Sequence, residues 1–297
     1  ASGLINGEFI EGIYHQILKQ SRELQEREYG LIAFQGEHGA YGEVAAREWN
    51  GELIPIPCES FSRVFENVDK GLADYGIVPV ENTLGGSVEQ VNRLIMDTEL
   101  HVVGAVDLPI NLCLLALPET DHREIRSVYS HPQALAQARN FLKRNRIEPV
   151  QYYDTAGAAR MLMEERPGGS AAIAGKLCAE LYDLKIVKEN IEDHVKSRTR
   201  FLVLAKDETK EEGHKCSIVF STEHKAGTLF KVLEIFAKAG INLTRIESIP
   251  HEPGDYAFFL DFMGSLRDEK IAHSLERVKQ VSTDFKILGC YRENKME

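Results

Sequence analysis

The chain has 297 residues, 43% of them hydrophobic and 27% charged, enough for two or three ordinary globular domains. Its net charge of −11 argues against a nucleic-acid or anionic-membrane partner, although a few local cations could still gather a small anionic substrate. The longest apolar run, near 112–117, is far too short to cross a bilayer, and no signal peptide is visible in the first residues.

Residues 4–28 read as one amphipathic helix. Phe9 or Ile10, Ile13, Ile17 and Leu24 recur at helical spacing among polar residues, and Gly30 ends the pattern. Such a stripe needs a partner, either the body of the protein or another chain. From Leu31 onward short apolar strands alternate with helices. Strands are predicted over 31–34, 53–56, 75–80, 102–106, 112–117, 128–129, 150–153 and 171–174. Helices are predicted over 41–49, from Ser60 to 70, from Pro132, and over 156–165 and 176–182. Ser60 suits an N-cap, and Pro132 a first helical turn, where its missing N–H costs little. This alternation predicts mostly parallel sheets with helices on both faces, and ligands beyond the carboxyl ends of the strands. An apolar strand over 201–205 follows Thr199 and Arg200, and the charged stretch 207–213 reads as a linker. Beyond it the order is strand 216–221, helix 228–238, strands 243–248 and 256–262, helix 268–281 and strand 285–290, the ferredoxin-like arrangement. The five cysteines, Cys58, Cys113, Cys178, Cys216 and Cys290, are scattered without a C-x-x-C or Cys/His cluster. They read as reduced thiols of a cytoplasmic protein, with no metal site.

Four polar clusters fall at predicted strand ends. The first is Asn82-Thr83 with Gly85, Gly86 and Ser87; its glycines allow a tight turn and bring backbone N–H groups close to a ligand. The second is Ser130-His131-Pro132-Gln133 at a helix start, where free N–H groups favour anions. The third is Asp154-Thr155-Ala156, and the fourth is Thr199-Arg200-Phe201. Each alone reads as a turn, a cap or a strand start. Together they form a site rich in hydroxyls and amides with one marked cation. Such a site suits recognition of a small carboxylated molecule and hydrogen-bond donation to a leaving oxygen. No hydrolase triad, metal constellation or phosphate loop is present.

At these residues the chain resembles the prephenate dehydratases that carry a C-terminal ACT domain. The resemblance spans 31–297. It rests on Ala33-Phe34-x-Gly36 with Gly39-x-Tyr41, Pro79-Val80-Glu81-Asn82-Thr83 followed by Gly86-Ser87, Ser130 to Gln133, Thr155-Ala156, 171–174, and Thr199-Arg200-Phe201. It implies an α/β catalytic domain over 30–207, with two lobes resembling periplasmic binding proteins, 31–107 with 190–206, and 108–189. A ferredoxin-like ACT domain is implied over 214–297. The implied reaction is decarboxylating dehydration of prephenate to phenylpyruvate in L-phenylalanine biosynthesis, without metal or organic cofactor. In that reading Thr199 hydrogen-bonds the leaving hydroxyl and Arg200 holds a carboxylate. Asn82, Thr83, Ser87, Ser130, Gln133 and Thr155 orient the other oxygens, and His131 is a lesser candidate for the acid. The chain departs from the family pattern at Ser197, where Asn is common, and in the Thr83-Leu84-Gly85-Gly86 loop.

In the ACT region, Gly227, Thr228 and Leu229 match the glycine motif of the first strand-to-helix turn. Asn242, Leu243, Glu247 and Ser248 match the second motif, with Ile249 where the family has Arg. The implied effector is L-phenylalanine, bound between two ACT domains of a homodimer or homotetramer. The N-terminal helix, through Ile13, Tyr14, Ile17, Ser21 and Gln25, resembles the last helix of an all-helical chorismate mutase. It reads as a fragment of a fused mutase–dehydratase over 1–29. Two other readings stay open: arogenate dehydratase, whose substrate carries an amine on the side chain, and a non-catalytic amino-acid sensor.

Overall fold

The computed structural model describes residues 16, 29–194, 197–209, 212–250 and 256–296. The helix expected over 4–28, with Ser21 and Gln25, lies outside the described residues apart from Gln16. Among the described residues no helix is long and apolar enough to cross a membrane.

The chain is mixed α/β, with a two-lobed, periplasmic-binding-protein-like catalytic region and a ferredoxin-like region. In the first lobe, β1 (Leu31–Gln35) pairs in parallel with β2 (Ile54–Cys58) and β3 (Tyr75–Asn82). These strands are joined through α1 (Tyr41–Trp49) and α2 (Phe61–Asp69). Ser60 caps α2 as expected, its hydroxyl accepting from the Arg63 N–H at 3.4 Å. A short strand, β4 (Gly86–Ser87), folds back on β3, and α3 (Glu89–Asp97) follows it. That helix was not expected, yet Val91, Leu94 and Ile95 give it an apolar stripe at helical spacing.

The chain then passes through β5 (His101–Pro109) into the second lobe. There β6 (Cys113–Ala116), β7 (Ser127–Ser130), β8 (Glu148–Gln151), β9 (Ser170–Ala174) and β10 (Lys185–Lys188) form a separate sheet in the order β10-β6-β9-β7-β8. Its helices are α4 (Pro132–Gln137), α5 (Arg139–Asn145), α6 (Thr155–Glu165) and α7 (Lys176–Leu181). β11 (Arg198–Ala205) returns to the first sheet and lies antiparallel between β3 and β5. The register slips between Arg200 and Phe201, so that Val80 of β3 is bulged out of the ladder.

The ferredoxin-like region comprises β12 (Lys215–Ser221), α8 (Thr228–Ala239), β13 (Leu243–Pro250), β14 (Tyr256–Met263), α9 (Glu269–Val281) and β15 (Asp284–Lys295). β15 runs beyond the expected 285–290. Its last residues, Arg292 to Lys295, pair in parallel with β5, so the sheet of this region continues into that of the first lobe. One face of the ferredoxin-like sheet buries Ile218, Phe220, Leu260 and Phe262 against Phe236, Ile271 and Leu275 of its own helices. The other contributes Ile249, Ala257, Phe259, Leu288 and Tyr291 to a core shared with Val80, Val91 and Ile95 of the first lobe. At roughly 1.5–3 kcal/mol per buried large apolar side chain, that shared core is a substantial tie between the two. It also accounts for Ile249: at 3% exposure, this position would bury an arginine. The expectation of free thiols is corrected for one pair. The register of β12 on β15 sets Cys216 opposite Cys290, and the two form a disulfide, whereas Cys58, Cys113 and Cys178 are free.

Candidate active site

Between the lobes lies a cavity of about 820 Å³. Six of the expected residues line it: Asn82, Ser87, His131, Gln133, Thr155 and Thr199. Asn82 and Thr199 are register partners at the ends of β3 and β11. The Asn82 Oδ1 accepts from the N–H groups of Leu84 and Gly85 at 2.9 and 2.7 Å, which fixes the amide and aims Nδ2 at the Thr199 Oγ1, 2.8 Å away. The backbone N–H groups of the glycine turn thus orient Asn82. Because Oγ1 accepts from Asn82, the Thr199 proton is left to be donated elsewhere, and the cavity is in front of it. Phe201, two residues on and pointing the same way, buries its ring at the base of the cavity.

Ser87 accepts at Oγ from the Nδ2 of buried Asn92 at 2.6 Å. His131 caps α4, its Nδ1 accepting from the Gln133 N–H at 3.2 Å, so in the neutral ring this network assigns the proton to Nε2. Gly85 is held against Gln133 of the opposite lobe: a Cβ there would come within 2.4 Å of Gln133 Nε2. Along one edge the lobes are joined by Glu37, which pairs with Arg160 at 2.7 Å and accepts from the Tyr153 hydroxyl at 2.9 Å. At the same edge Gly39, with φ +92°, lies so close to Cys178 that a Cβ would fall 2.6 Å from its Sγ.

Three expected site residues are elsewhere, and these are corrections. Ser130 is 0% exposed and donates to the Ile173 carbonyl at 2.6 Å, tying β7 to β9. Thr83 lies at the cleft's outer edge, its Oγ1 accepting from the Arg198 N–H at 2.9 Å. Arg200 is on the face of β11 away from the cavity, because successive strand residues point to opposite faces. Its guanidinium bonds Glu293, Tyr291 and Asp261 of the ferredoxin-like region.

With Arg200 absent, no Lys or Arg among the described residues lines the cavity, while Glu59, Glu89 and Asp154 do. The positive end of the site is instead backbone: the first residues of α1, α2, α3 and α6 all face the cavity. Unpaired N–H groups and the aligned helix dipoles make such termini favourable to anions. Asp154 caps α6 by accepting from the Gly157 N–H at 2.8 Å, and burial pushes its carboxyl above the usual aspartate range. It was present in the sequence beside Thr155, where capping was sufficient explanation.

In the ferredoxin-like region Gly227, Thr228 and Leu229 line a second cavity of about 380 Å³ with Tyr256 and Phe258. Gly227 begins α8 in the left-handed conformation, φ +87°. Asn242, Leu243, Glu247 and Ser248 are on or beside β13 and do not line that cavity.

Comparison with known proteins agrees with this fold. The prephenate dehydratase family profile matches residues 32–209 and the ACT domain profile matches residues 217–280. The chain is 38% identical over 279 residues to an arogenate dehydratase/prephenate dehydratase of Arabidopsis thaliana, covering 88% of this chain and 71% of that protein. It is 35% identical over 295 residues to a bifunctional chorismate mutase/prephenate dehydratase of Aquifex aeolicus, covering 97% of this chain and 80% of that protein. A prephenate dehydratase from Arthrobacter aurescens solved with L-Phe superposes with a TM-score of 0.82 at 29% identity, covering 88% of this chain and 89% of that one. GqqA, described as a quorum quenching acylase, also gives 0.82, at 32% identity over 88% of this chain and 97% of its own.

Proposed function

The chain belongs to the prephenate dehydratase family, and from its cleft we propose that it catalyses the decarboxylating dehydration of prephenate to phenylpyruvate. In that reaction the ring carboxylate leaves as carbon dioxide. Its electron pair moves through the diene, the ring hydroxyl departs, and one proton is taken up so that it leaves as water. Aromatisation supplies the driving force, so the protein's task is placement and stabilisation of the developing charge. The observation that carries this reading is the Thr199 hydroxyl, which lines the cavity and whose oxygen accepts from Asn82 at 2.8 Å, leaving its proton to be donated. Thr199 donates to the leaving oxygen. Ser87, Gln133, Thr155 and the helix termini hold the remaining oxygens, and His131 is a lesser candidate for supplying the proton. Arg200 has no part in substrate binding here. The test is absorbance of phenylpyruvate formed from prephenate by the purified chain; a folded protein that forms none refutes the proposal.

One observation favours arogenate as a second substrate. Among the described residues the cavity lining has three carboxylates and no Lys or Arg, a setting that suits the side-chain ammonium of arogenate better than the keto group of prephenate. The Arabidopsis relative bears both activities in its name. Relative kcat/KM for the two compounds decides between them.

For the ACT region we propose L-phenylalanine as a feedback effector, at a site that includes Gly227, Thr228 and Leu229. A homodimer or homotetramer through this region, and a cytoplasmic location, complete the proposal. The N-terminal segment over 1–29 is proposed as the last helix of a chorismate mutase, supported by the Aquifex relative's alignment over nearly the whole chain. Calorimetric titration with L-phenylalanine tests the effector assignment: no heat and no inhibition would remove it.

A further inference from the structure

β11 is covered on both faces, and its alternation gives neighbouring residues different surroundings. Thr199 faces the cleft, whereas Arg200, 5% exposed, enters the seam with the ACT sheet. There Arg200 donates from Nε to Glu293 at 2.6 Å and from Nη2 to the Tyr291 hydroxyl at 2.9 Å, and Nη1 bonds Asp261. Each of these three partners belongs to the ACT sheet, while Nη1 also lies 3.9 Å from the Glu81 carboxylate of β3. Ser217 of β12 bonds both Asp261 and Tyr291, and Lys215 pairs with Glu293 at 2.8 Å. Burial alone would lower the Arg200 pKa, but Tyr291, Asp261 and Glu293 outweigh it and raise it above the usual value.

A second arginine crosses the seam in the opposite direction. Arg245 of β13, 9% exposed, lies over the Phe259 ring at 4.5 Å and faces Glu81 at 3.2 Å through Nε. Its Nη2 reaches the carbonyl of bulged Val80 and the Oδ1 of Asn92, each at 3.4 Å. Asn92 donates in turn to Ser87 in the cleft. The Arg245 Nη1 is buried with no hydrogen-bond partner among the described residues.

We infer that Arg200 and Arg245 are positioning residues through which the ACT sheet sets Thr199 and Ser87 for the reaction. The inference rests on the dehydratase reading of the cleft. A planar guanidinium held by three partners is a stiff connector, and the Val80 bulge lies beside both arginines where a strand can re-aim a side chain. A displacement of about 1 Å at a reacting group can cost on the order of 100-fold in rate. A small shift of the ACT sheet is therefore felt at Thr199 without contact between that sheet and the substrate.

The test uses the full chain. Tyr291→Phe removes only the hydroxyl that Arg200 bonds, and Asp261→Asn removes one charge. Each is expected to lower kcat roughly 3- to 30-fold, the usual range for coupling between distant groups, with KM changed by less than about twofold. Inhibition of turnover by L-phenylalanine weakens in both. Combined with Thr199→Ser, the effects fall short of multiplying, because both changes loosen the same hydroxyl. Melting temperatures identify folded variants, and the volume-conserving Tyr291→Phe serves if Asp261→Asn does not fold. Wild-type kcat in the folded variants, an unchanged response to L-phenylalanine, or effects that multiply with Thr199→Ser overturns the inference. A folded wild-type chain that forms no phenylpyruvate from prephenate would instead overturn the dehydratase reading, so the two failures are distinct.

Discussion

Replacing Thr199 by Val keeps the shape of the side chain and removes its hydroxyl. Two consequences can be worked from the structure. The Asn82 Nδ2 loses its acceptor at 2.8 Å and retains only Ser197 Oγ at 3.5 Å, so stability falls by about 1 kcal/mol, the low end for a partly buried unpaired donor. The leaving oxygen loses its donor in the transition state. Removing one such preorganised donor typically costs about 10²–10³ in kcat, or roughly 3–4 kcal/mol. Thr199→Ala carries the same loss with an added cavity, whereas Thr199→Ser keeps the hydroxyl and should stay within about tenfold of wild type. The assay is initial-rate formation of phenylpyruvate over a range of prephenate concentrations, with the melting temperature of each variant measured alongside. A folded Thr199→Val enzyme with kcat within about threefold of wild type refutes the role given to this residue.

Ser130→Ala should destabilise the second lobe by about 1–2 kcal/mol, because the Ile173 carbonyl loses a buried donor at 2.6 Å. Its kcat should stay within about twofold of wild type, read by denaturant melts beside turnover. Gly85→Ala drives a methyl into Gln133 Nε2 and should raise KM several-fold by holding the lobes apart, visible as altered small-angle scattering with substrate. Burial acts to raise the Glu293 pKa, but Arg200 and Lys215 outweigh it and hold the carboxyl below its ordinary 4.5. A lowered folded-state pKa stabilises the fold above pH 4.5, and that contribution is lost as pH falls through the folded value. Stability measured from pH 6 downward should therefore decline less steeply in Glu293→Gln than in wild type, and parallel curves would show the seam to be without influence on acid sensitivity.

The strand–helix alternation, the ferredoxin-like order and the polar strand ends are readable from the sequence because each is a local pattern. Asn82 and Thr199 come together because both end strands of one sheet. Arg200 is the instructive failure. Residues 201–205 are apolar throughout and the strand is buried on both sides, so nothing local tells which face meets the cleft; being next to Thr199 in sequence places Arg200 on the opposite face. Ser130 fails similarly, its hydroxyl having a carbonyl to satisfy on the neighbouring strand. The extension of β15 over Arg292 to Lys295 has no apolar signal, since it forms through backbone pairing with β5 and the polar contacts of Glu293 with Arg200 and Lys215. The Cys216–Cys290 disulfide, 74 residues apart in sequence, is visible only once β12 and β15 are in register. The second arginine, Arg245, carries no signal of its own in the sequence, and only the packing of the ACT sheet on the first lobe gives it neighbours.

The most direct test of the central claim is turnover of prephenate and of arogenate by the full chain, with phenylpyruvate and phenylalanine quantified in the same samples with and without L-phenylalanine. The cleft described above predicts carbon dioxide released in equal amount to the aromatic product from at least one of the two compounds, with a rate that falls as L-phenylalanine is added. A folded protein that converts neither compound would contradict it.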